Sequence, residues 1–286
     1  MPDRVIYLNG EYLPASAARV SVMDRGFLFG DGVYEVIPVF GGRLLRIDEH
    51  LRRLQNSLDR VSMSNPKSVD EWTVTLQNLL LRNPGDDRGI YLQITRGAAE
   101  YRDLTPSPDL RPTVFIMVMH LKPVDPQQLE AGIDAITVDD FRWHACDIKS
   151  ISLIANVMMR IQADNAGVVD AIMVRNGRAT EGTASNVFVV KNGVLATPPK
   201  SRHLLPGITR DLVIELAENN NIDCEVREID AHELESADEI WLTSSTREIA
   251  PVVRLNGNLV GDGRAGVLWK RMIMLYQQFK QELRDG

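Results

Sequence analysis

Ala145-Cys146-Asp147-Ile148-Lys149-Ser150-Ile151-Ser152-Leu153-Ile154-Ala155-Asn156 sets one lysine between a polar segment and an apolar run. Ile151, Leu153, Ile154 and Val157 follow Lys149 at the spacing of a helix's buried face, which predicts that the lysine stands at the entrance to that helix, partly withdrawn from water. Burial lowers the pKa of a lysine, and an amine that is partly neutral near pH 7 attacks aldehydes. For this stretch alone the alternative is a surface lysine whose stem lies along apolar residues while its ammonium stays in water.

Working outward, Ala179-Thr180-Glu181-Gly182-Thr183-Ala184-Ser185-Asn186-Val187-Phe188 reads as a strand carrying an acid, a glycine and several small donors. With the lysine, this set suits pyridoxal phosphate, whose aldehyde forms a Schiff base with an amine. Glu181 can keep the pyridine nitrogen protonated, and Ser185 with the amides near Gly182 can line the ring and phosphate. In Leu204-Leu205-Pro206-Gly207-Ile208-Thr209-Arg210-Asp211, Pro-Gly leads into a helix with the period of Ile208 and Leu212. Its free N–H groups and Thr209 make an anion site, though the same residues also serve as an ordinary helix start. Trp241-Leu242 ends in four hydroxyls, Thr243, Ser244, Ser245 and Thr246, before Arg247-Glu248-Ile249.

The whole chain has the composition of a soluble globular protein. Its 286 residues are 44% hydrophobic and 25% charged, with room for one large domain or two ordinary ones. A net charge of −7 argues against nucleic acid as a partner. Cys146 and Cys224 are too few for a disulfide framework, so a reducing, cytoplasmic setting is expected. The start Met1-Pro2-Asp3-Arg4 has no apolar signal region, and no apolar run is long enough to span a bilayer, so export and membrane insertion are not expected. The histidines at 50, 120, 144, 203 and 232 form no ligand-spaced pair, which predicts no catalytic metal.

Val5 to Leu13 reads as a hairpin around Asn9-Gly10, and Val20-Ser21-Val22 as a further short strand. Gly26, Gly30 and Gly32 mark a flexible crossing into a strand from Val33 to Phe40, where alternation places Tyr34 and Val36 on one face and Glu35 and Ile37 on the other. Asp48 is the expected cap of a helix from about 49 to 62, with Arg53 on one side of it. A second helix covers about 69 to 81, and strands run from 89 to 95 and from 113 to 120. Pro123 and Pro126 mark a linker; beyond it come a strand near 133 to 138, a helix ending near 166, several hairpins and a terminal helix from about 266 to 283.

In this order, Tyr7-Leu8-Asn9-Gly10, Asp24-Arg25-Gly26, Phe29-Gly30-Asp31-Gly32-Val33-Tyr34-Glu35-Val36, Asp147-Ile148-Lys149-Ser150 and Thr180-Glu181-Gly182 resemble the fold-type IV pyridoxal-phosphate enzymes over nearly the full chain. Within that family they look most like D-amino-acid transaminases; branched-chain L-amino-acid aminotransferases and aminodeoxychorismate lyases are the alternatives. The resemblance implies an α+β chain of two domains, 1–120 and 131–286, joined by a linker at 121–130, with pyridoxal 5′-phosphate in the cleft between them. It implies a homodimer acting on an amino acid, such as D-alanine or D-glutamate, and a 2-oxo acid. Lys149 is then the catalytic lysine. Arg53, Glu181, Ser185, Asn186, Leu205, Gly207, Ile208, Thr209 and Thr243 to Thr246 are expected around the cofactor, with Arg53 on its phosphate. Tyr34, Val36 and Arg102 are expected beside substrate. The family's D-specific members carry an arginine and, two residues on, a histidine after Thr95-Arg96-Gly97; here those positions hold Tyr101 and Asp103, and Arg102 takes the arginine's role with a shift of one residue.

Overall fold

The computed structural model describes residues 4–121 and 126–286. They fall into two compact units: Met1–Lys122 with Ile148–Ser152 and Leu283–Gly286, and Pro123–Asp147 with Leu153–Glu282. Lys149, expected in the C-terminal domain, thus belongs by its contacts to the first unit.

In the first unit β1 (Val5–Leu8) and β2 (Glu11–Pro14) form the expected hairpin, with Asn9 at φ 49° and Gly10 at φ 105°. Then come α1 (Arg25–Phe29), β3 (Gly32–Phe40), β4 (Arg43–Leu44), α2 (Ile47–Arg60), α3 (Val69–Arg82), β5 (Arg88–Thr95) and β6 (Thr113–His120). The strands make one antiparallel sheet in the order β2-β1-β6-β5-β3-β4. Its side chains obey the period of two: Ile37, Ile90 and Leu92 are fully buried, as are Leu54, Leu58, Leu76 and Leu79 of α2 and α3, the helices packed on this sheet.

The second unit comprises α4 (Pro126–Ala131), β7 (Ile133–Asp139), α5 (Ile154–Asn165), β8 (Asp170–Arg175), β9 (Arg178–Gly182), β10 (Asn186–Lys191), β11 (Val194–Thr197), α6 (Ile208–Asn219), β12 (Cys224–Val226), β13 (Ile229–Asp230), α7 (Ala231–Glu235), β14 (Glu239–Ser244), β15 (Glu248–Leu255), β16 (Asn258–Leu259) and α8 (Val267–Asp285). Its ten-stranded sheet runs β12-β11-β10-β14-β15-β7-β8-β9-β13, with β16 paired to β15. Alternate residues of β10 enter two cores. Val187 and Val189 join Leu234 of α7, whereas Phe188 and Val190 join Leu212 of α6 and Trp269 and Tyr276 of α8.

Several expectations need correction. The apolar run after Lys149 is not a buried face: Leu153 caps α5, and Ile154 and Val157 are 73% and 48% exposed, while Met159 and Ala163 on the opposite side are buried. Periodicity identifies an apolar stripe but not which side of the helix the core occupies. The glycine-marked crossing at 24–32 contains helix α1, because the Asp24 side chain accepts from Gly26 N and Gly30, at φ 68°, closes the turn. Helix α2 starts one residue before Asp48, after a left-handed Arg46 and without a side-chain cap, so Asp48 is a first-turn acid instead. Val20 and Val22 are exposed and outside any strand. Of the expected linker, 126–130 is helical and 122–125 lie outside the described residues.

Candidate active site

In the first unit, β3 presents two chemistries on its two faces. Glu35, fully buried, turns toward α2, where Arg53 donates from Nε and Nη2 to its two oxygens at 2.8 Å each. His50 Nδ1 meets Glu35 Oε2 at 2.7 Å. The arginine beside it holds the Glu35 carboxyl well below the usual range against the cost of burial, whereas burial lowers His50 from its ordinary value. Glu35 is therefore ionised and His50 neutral, with Nδ1–H donating. That leaves His50 Nε2 as a buried acceptor with no partner among the described residues.

Tyr34 and Val36 take the other face. Through the pairs Tyr34↔Gln93, Val36↔Tyr91, Gln93↔Phe115 and Tyr91↔Met117, this face is a half-buried row of aromatic and aliphatic side chains with one amide, Gln93. The Tyr34 and Tyr91 rings are 5.5 Å apart, and Tyr91 OH donates to Gln93 Oε1 at 2.7 Å. Burial pushes the Tyr91 phenol up to about 12. Lys149 is fixed at the edge of β3 by its backbone: Tyr34 N donates to Lys149 O at 2.9 Å, and Lys149 N donates to Ser57 Oγ at 3.2 Å. Val33 and Ser150 form an antiparallel bridge. The lysine side chain is half-buried, with Nζ 4.2 Å from the centre of the Tyr34 ring. Arg53 is thus one turn of α2 from the residue that anchors Lys149, but the fork expected to face a phosphate is engaged by Glu35. Arg102 is exposed and stacked over Phe29 at 4.8 Å; Arg25 occupies the same ring at 4.8 Å and donates to Asp103 O at 2.5 Å.

In the second unit Glu181, Asn186 and Leu205 are joined directly. Glu181 is 4% exposed; its Oε2 accepts from Leu205 N at 3.0 Å and Asn186 Nδ2 at 3.2 Å, and its Oε1 from Arg142 Nη1 at 2.5 Å. A carboxylate has about four acceptor directions, so three are taken and one remains. Gly207 packs so closely on Asn186 that a Cβ there would overlap Oδ1. It precedes α6 without any side-chain cap, leaving the first-turn N–H groups near Ile208 and Thr209 for a ligand. Ser185 Oγ is buried with no partner among the described residues. Thr243 is buried opposite Asn186 across β10 and β14, and Ser244 ends β14 paired with Glu248, whereas Ser245 and Thr246 lie in the β14–β15 turn and Thr246 is exposed.

The first unit thus offers a half-buried lysine, and the second a buried carboxylate beside an uncapped helix start. The amino-transferase class IV family matches residues 32–255. The chain belongs to that family. This aminotransferase is 39% identical over 267 residues to the D-alanine aminotransferase of Bacillus licheniformis, covering 93% of this chain and 94% of the relative. It is 37% identical over 268 residues to the D-alanine aminotransferase of Staphylococcus aureus (strain COL), with 93% and 94% covered. Among solved structures it matches the Escherichia coli branched-chain amino acid aminotransferase with a TM-score of 0.90 at 27% identity, covering 96% of this chain and 94% of that one.

The cofactor of the family is pyridoxal 5′-phosphate. The residue chemistry of each unit fits such a group: the first offers an accessible lysine amine, and the second a buried carboxylate with one open acceptor direction, an uncapped helix start and the Ser185 hydroxyl, which has no partner among the described residues. Among the described residues no group of three or more His, Cys, Asp or Glu side chains is arranged to hold a metal ion, and no helix is long and apolar enough to cross a membrane. Glu35 and His50 as partners of Arg53, and Asp140 and Arg142 beside Glu181, are absent from the residues expected from sequence. The signals for them in the chain are the alternation that turns Glu35 away from Tyr34, the His50/Arg53 spacing of one helical turn, and an Asp-x-Arg pair shortly before Lys149.

Proposed function

We propose that this aminotransferase moves the amino group of a D-amino acid, such as D-alanine or D-glutamate, to a 2-oxo acid, working as a cytoplasmic homodimer. The observation that carries the catalytic part is Lys149, whose backbone is pinned to β3 and Ser57 while its half-buried amine lies against Tyr34. The stereochemical part is supported by the D-alanine aminotransferase relatives.

When bound, pyridoxal phosphate supplies an aldehyde for an amine and a pyridinium ring that takes up an electron pair. Lys149 would hold the cofactor through its amine and, when that amine is free, would carry the substrate Cα proton as general base and general acid. Glu181 holds a proton on the ring nitrogen. The first turn of α6, Thr209, Ser185 and the β14–β15 turn bind the phosphate, and the cation of Arg53, oriented by Glu35, adds to its field. Tyr34 and Val36 border the substrate, and Arg102 of the partner subunit takes its carboxylate.

Borohydride reduction of the yellow holoprotein followed by peptide mass mapping tests the first part: the adduct is expected on Lys149, and an adduct on another lysine overturns the assignment. Single-turnover conversion of the cofactor to its amine form tests the second. D-Alanine or D-glutamate is expected to react faster than its L-enantiomer. Faster reaction with L-leucine or L-valine overturns the D-specific reading in favour of the branched-chain one, and pyruvate release from aminodeoxychorismate without an acceptor overturns it in favour of the lyase.

A further inference from the structure

Glu181 faces a conflict between burial and charge. At 4% exposure, loss of water pushes its carboxyl upward from the usual range, toward the neutral acid. A neutral acid would keep the proton that a ring nitrogen needs. Of the three donors on Glu181, Leu205 N and Asn186 Nδ2 are neutral and Arg142 carries a full charge.

The guanidinium of Arg142 is divided between two carboxylates. Its Nε and Nη2 hold the oxygens of Asp140 at 2.9 Å each, while Nη1 reaches Glu181 Oε1 at 2.5 Å. Asp140 is held in turn by Arg175 Nη2 at 3.0 Å and by Thr180 Oγ1 at 3.1 Å. Arg175 Nη1 then donates to His203 Nδ1 at 2.8 Å. Glu181, Arg142, Asp140 and Arg175 therefore form a row of alternating charge, with Cys146 and His203 as further ionisable groups beside it and the His144 ring 5.1 Å from that of His203.

We propose that Arg142 is a positioning residue for the reaction, keeping Glu181 a carboxylate, and that Asp140 sets how much of the guanidinium's charge Glu181 receives. The inference rests on the reading that Glu181 pairs with the cofactor's ring nitrogen. Coulomb attraction falls with distance, so a cation touching the carboxylate stabilises its charge more than it disfavours a proton on whatever the carboxylate binds. Asp140 works against this, because a second carboxylate on the same guanidinium makes Glu181 harder to ionise. The two neighbours thus act on Glu181 in opposite directions, which packing alone does not produce.

The test follows the Glu181 carboxyl by ¹³C NMR in the full chain freed of cofactor, and the ring nitrogen by ¹⁵N NMR in holoenzyme made with ¹⁵N-labelled cofactor. Arg142→Met is expected to raise the carboxyl titration by about one unit or more and to move the ring signal toward unprotonated pyridine. Asp140→Asn is expected to lower the titration and leave the ring protonated to higher pH. Arg142→Lys, which keeps the charge without the fork, is expected to fall between wild type and Arg142→Met. If Arg142→Met does not fold, the downward shift in Asp140→Asn and the partial shift in Arg142→Lys carry the test. A carboxyl titration unmoved by these substitutions overturns the proposal. If Glu181→Gln changes the ring signal but the Arg142 variants do not, only the proposal fails; if the ring signal ignores Glu181→Gln as well, the cofactor reading beneath it fails too.

Discussion

The amine of Lys149 stands 4.2 Å from the centre of the Tyr34 ring, and the two residues are also joined by the hydrogen bond from Tyr34 N to Lys149 O. Ring and amine are thus held by two hydrogen-bonded stretches of backbone. A contact of this kind is worth roughly 0.5 to 2 kcal/mol, depending on exposure. Tyr34→Phe, which keeps the ring, is expected to retain cofactor trapping by borohydride and lose only a few-fold in rate. Tyr34→Ala should reduce kcat/KM by about tenfold or more. Equal activity in both variants would remove the ring from the site.

Glu181→Gln keeps the size and the hydrogen bond from Leu205 N while removing the charge. The amine-forming half-reaction should slow by about 100-fold or more, with a much smaller change in cofactor affinity. Stopped-flow absorbance and equilibrium dialysis separate the two quantities.

The buried Glu35, His50 and Arg53 make stability depend on pH. His50 is neutral in the fold because burial lowers it from its ordinary 6.5. Its contribution is therefore complete above that value and is lost as pH falls from there through the folded-state value, because the unfolded chain takes up the proton first. Glu35, depressed by Arg53, has the same sign but acts at lower pH: its contribution is present above the ordinary carboxyl value and is lost on further acidification. Denaturant titrations from pH 8 to 4 should show stability falling below about pH 6.5, with each such proton contributing a slope of at most about 1.4 kcal/mol per pH unit. His50→Gln should remove the upper part of that slope. Glu35→Gln, which leaves Arg53 buried without its carboxylate, should cost about 3 to 5 kcal/mol at pH 7.

Arg102 is tested in a mixed dimer. If it serves the partner subunit's lysine, a heterodimer of Lys149→Ala with Arg102→Ala holds one intact site of two, and mixing should restore about half the wild-type activity. Verified heterodimers no more active than the parents would rule out the trans arrangement, and a fully active Arg102→Ala homodimer would remove the residue from substrate binding.

Much of the fold was legible where local chemistry and periodicity agreed. Asn9-Gly10 allows the two consecutive positive φ angles of a tight hairpin turn, and the alternation through Tyr34, Glu35 and Val36 follows directly from strand geometry. The apolar stripe after Lys149 misled because Ile154, Val157, Met158 and Ile161 recur at helical spacing on the exposed side of α5. Nothing in a single sequence tells whether such a stripe meets a core or some other surface. The candidate residues were legible as types, since a lysine, an acid and hydroxyls each suit a part of the cofactor. Their supports were not. The fork of Arg53 on Glu35 and the divided guanidinium of Arg142 depend on pairings across separate elements, which spacing in one segment does not encode.

The segment Ile148–Ser152 packs with residues that precede the second unit, and this limits how the enzyme can be recombined. A chimera with its crossover near Lys122 would pair β3 of one parent with the lysine segment of another, so the Val33–Ser150 bridge and the Tyr34 N to Lys149 O bond would join sequences never selected together. Moving 148–152 along with the first parent's β3 restores the match. Inheritance of the two together, more than the position of any linker, should decide which hybrids of related aminotransferases keep a competent lysine.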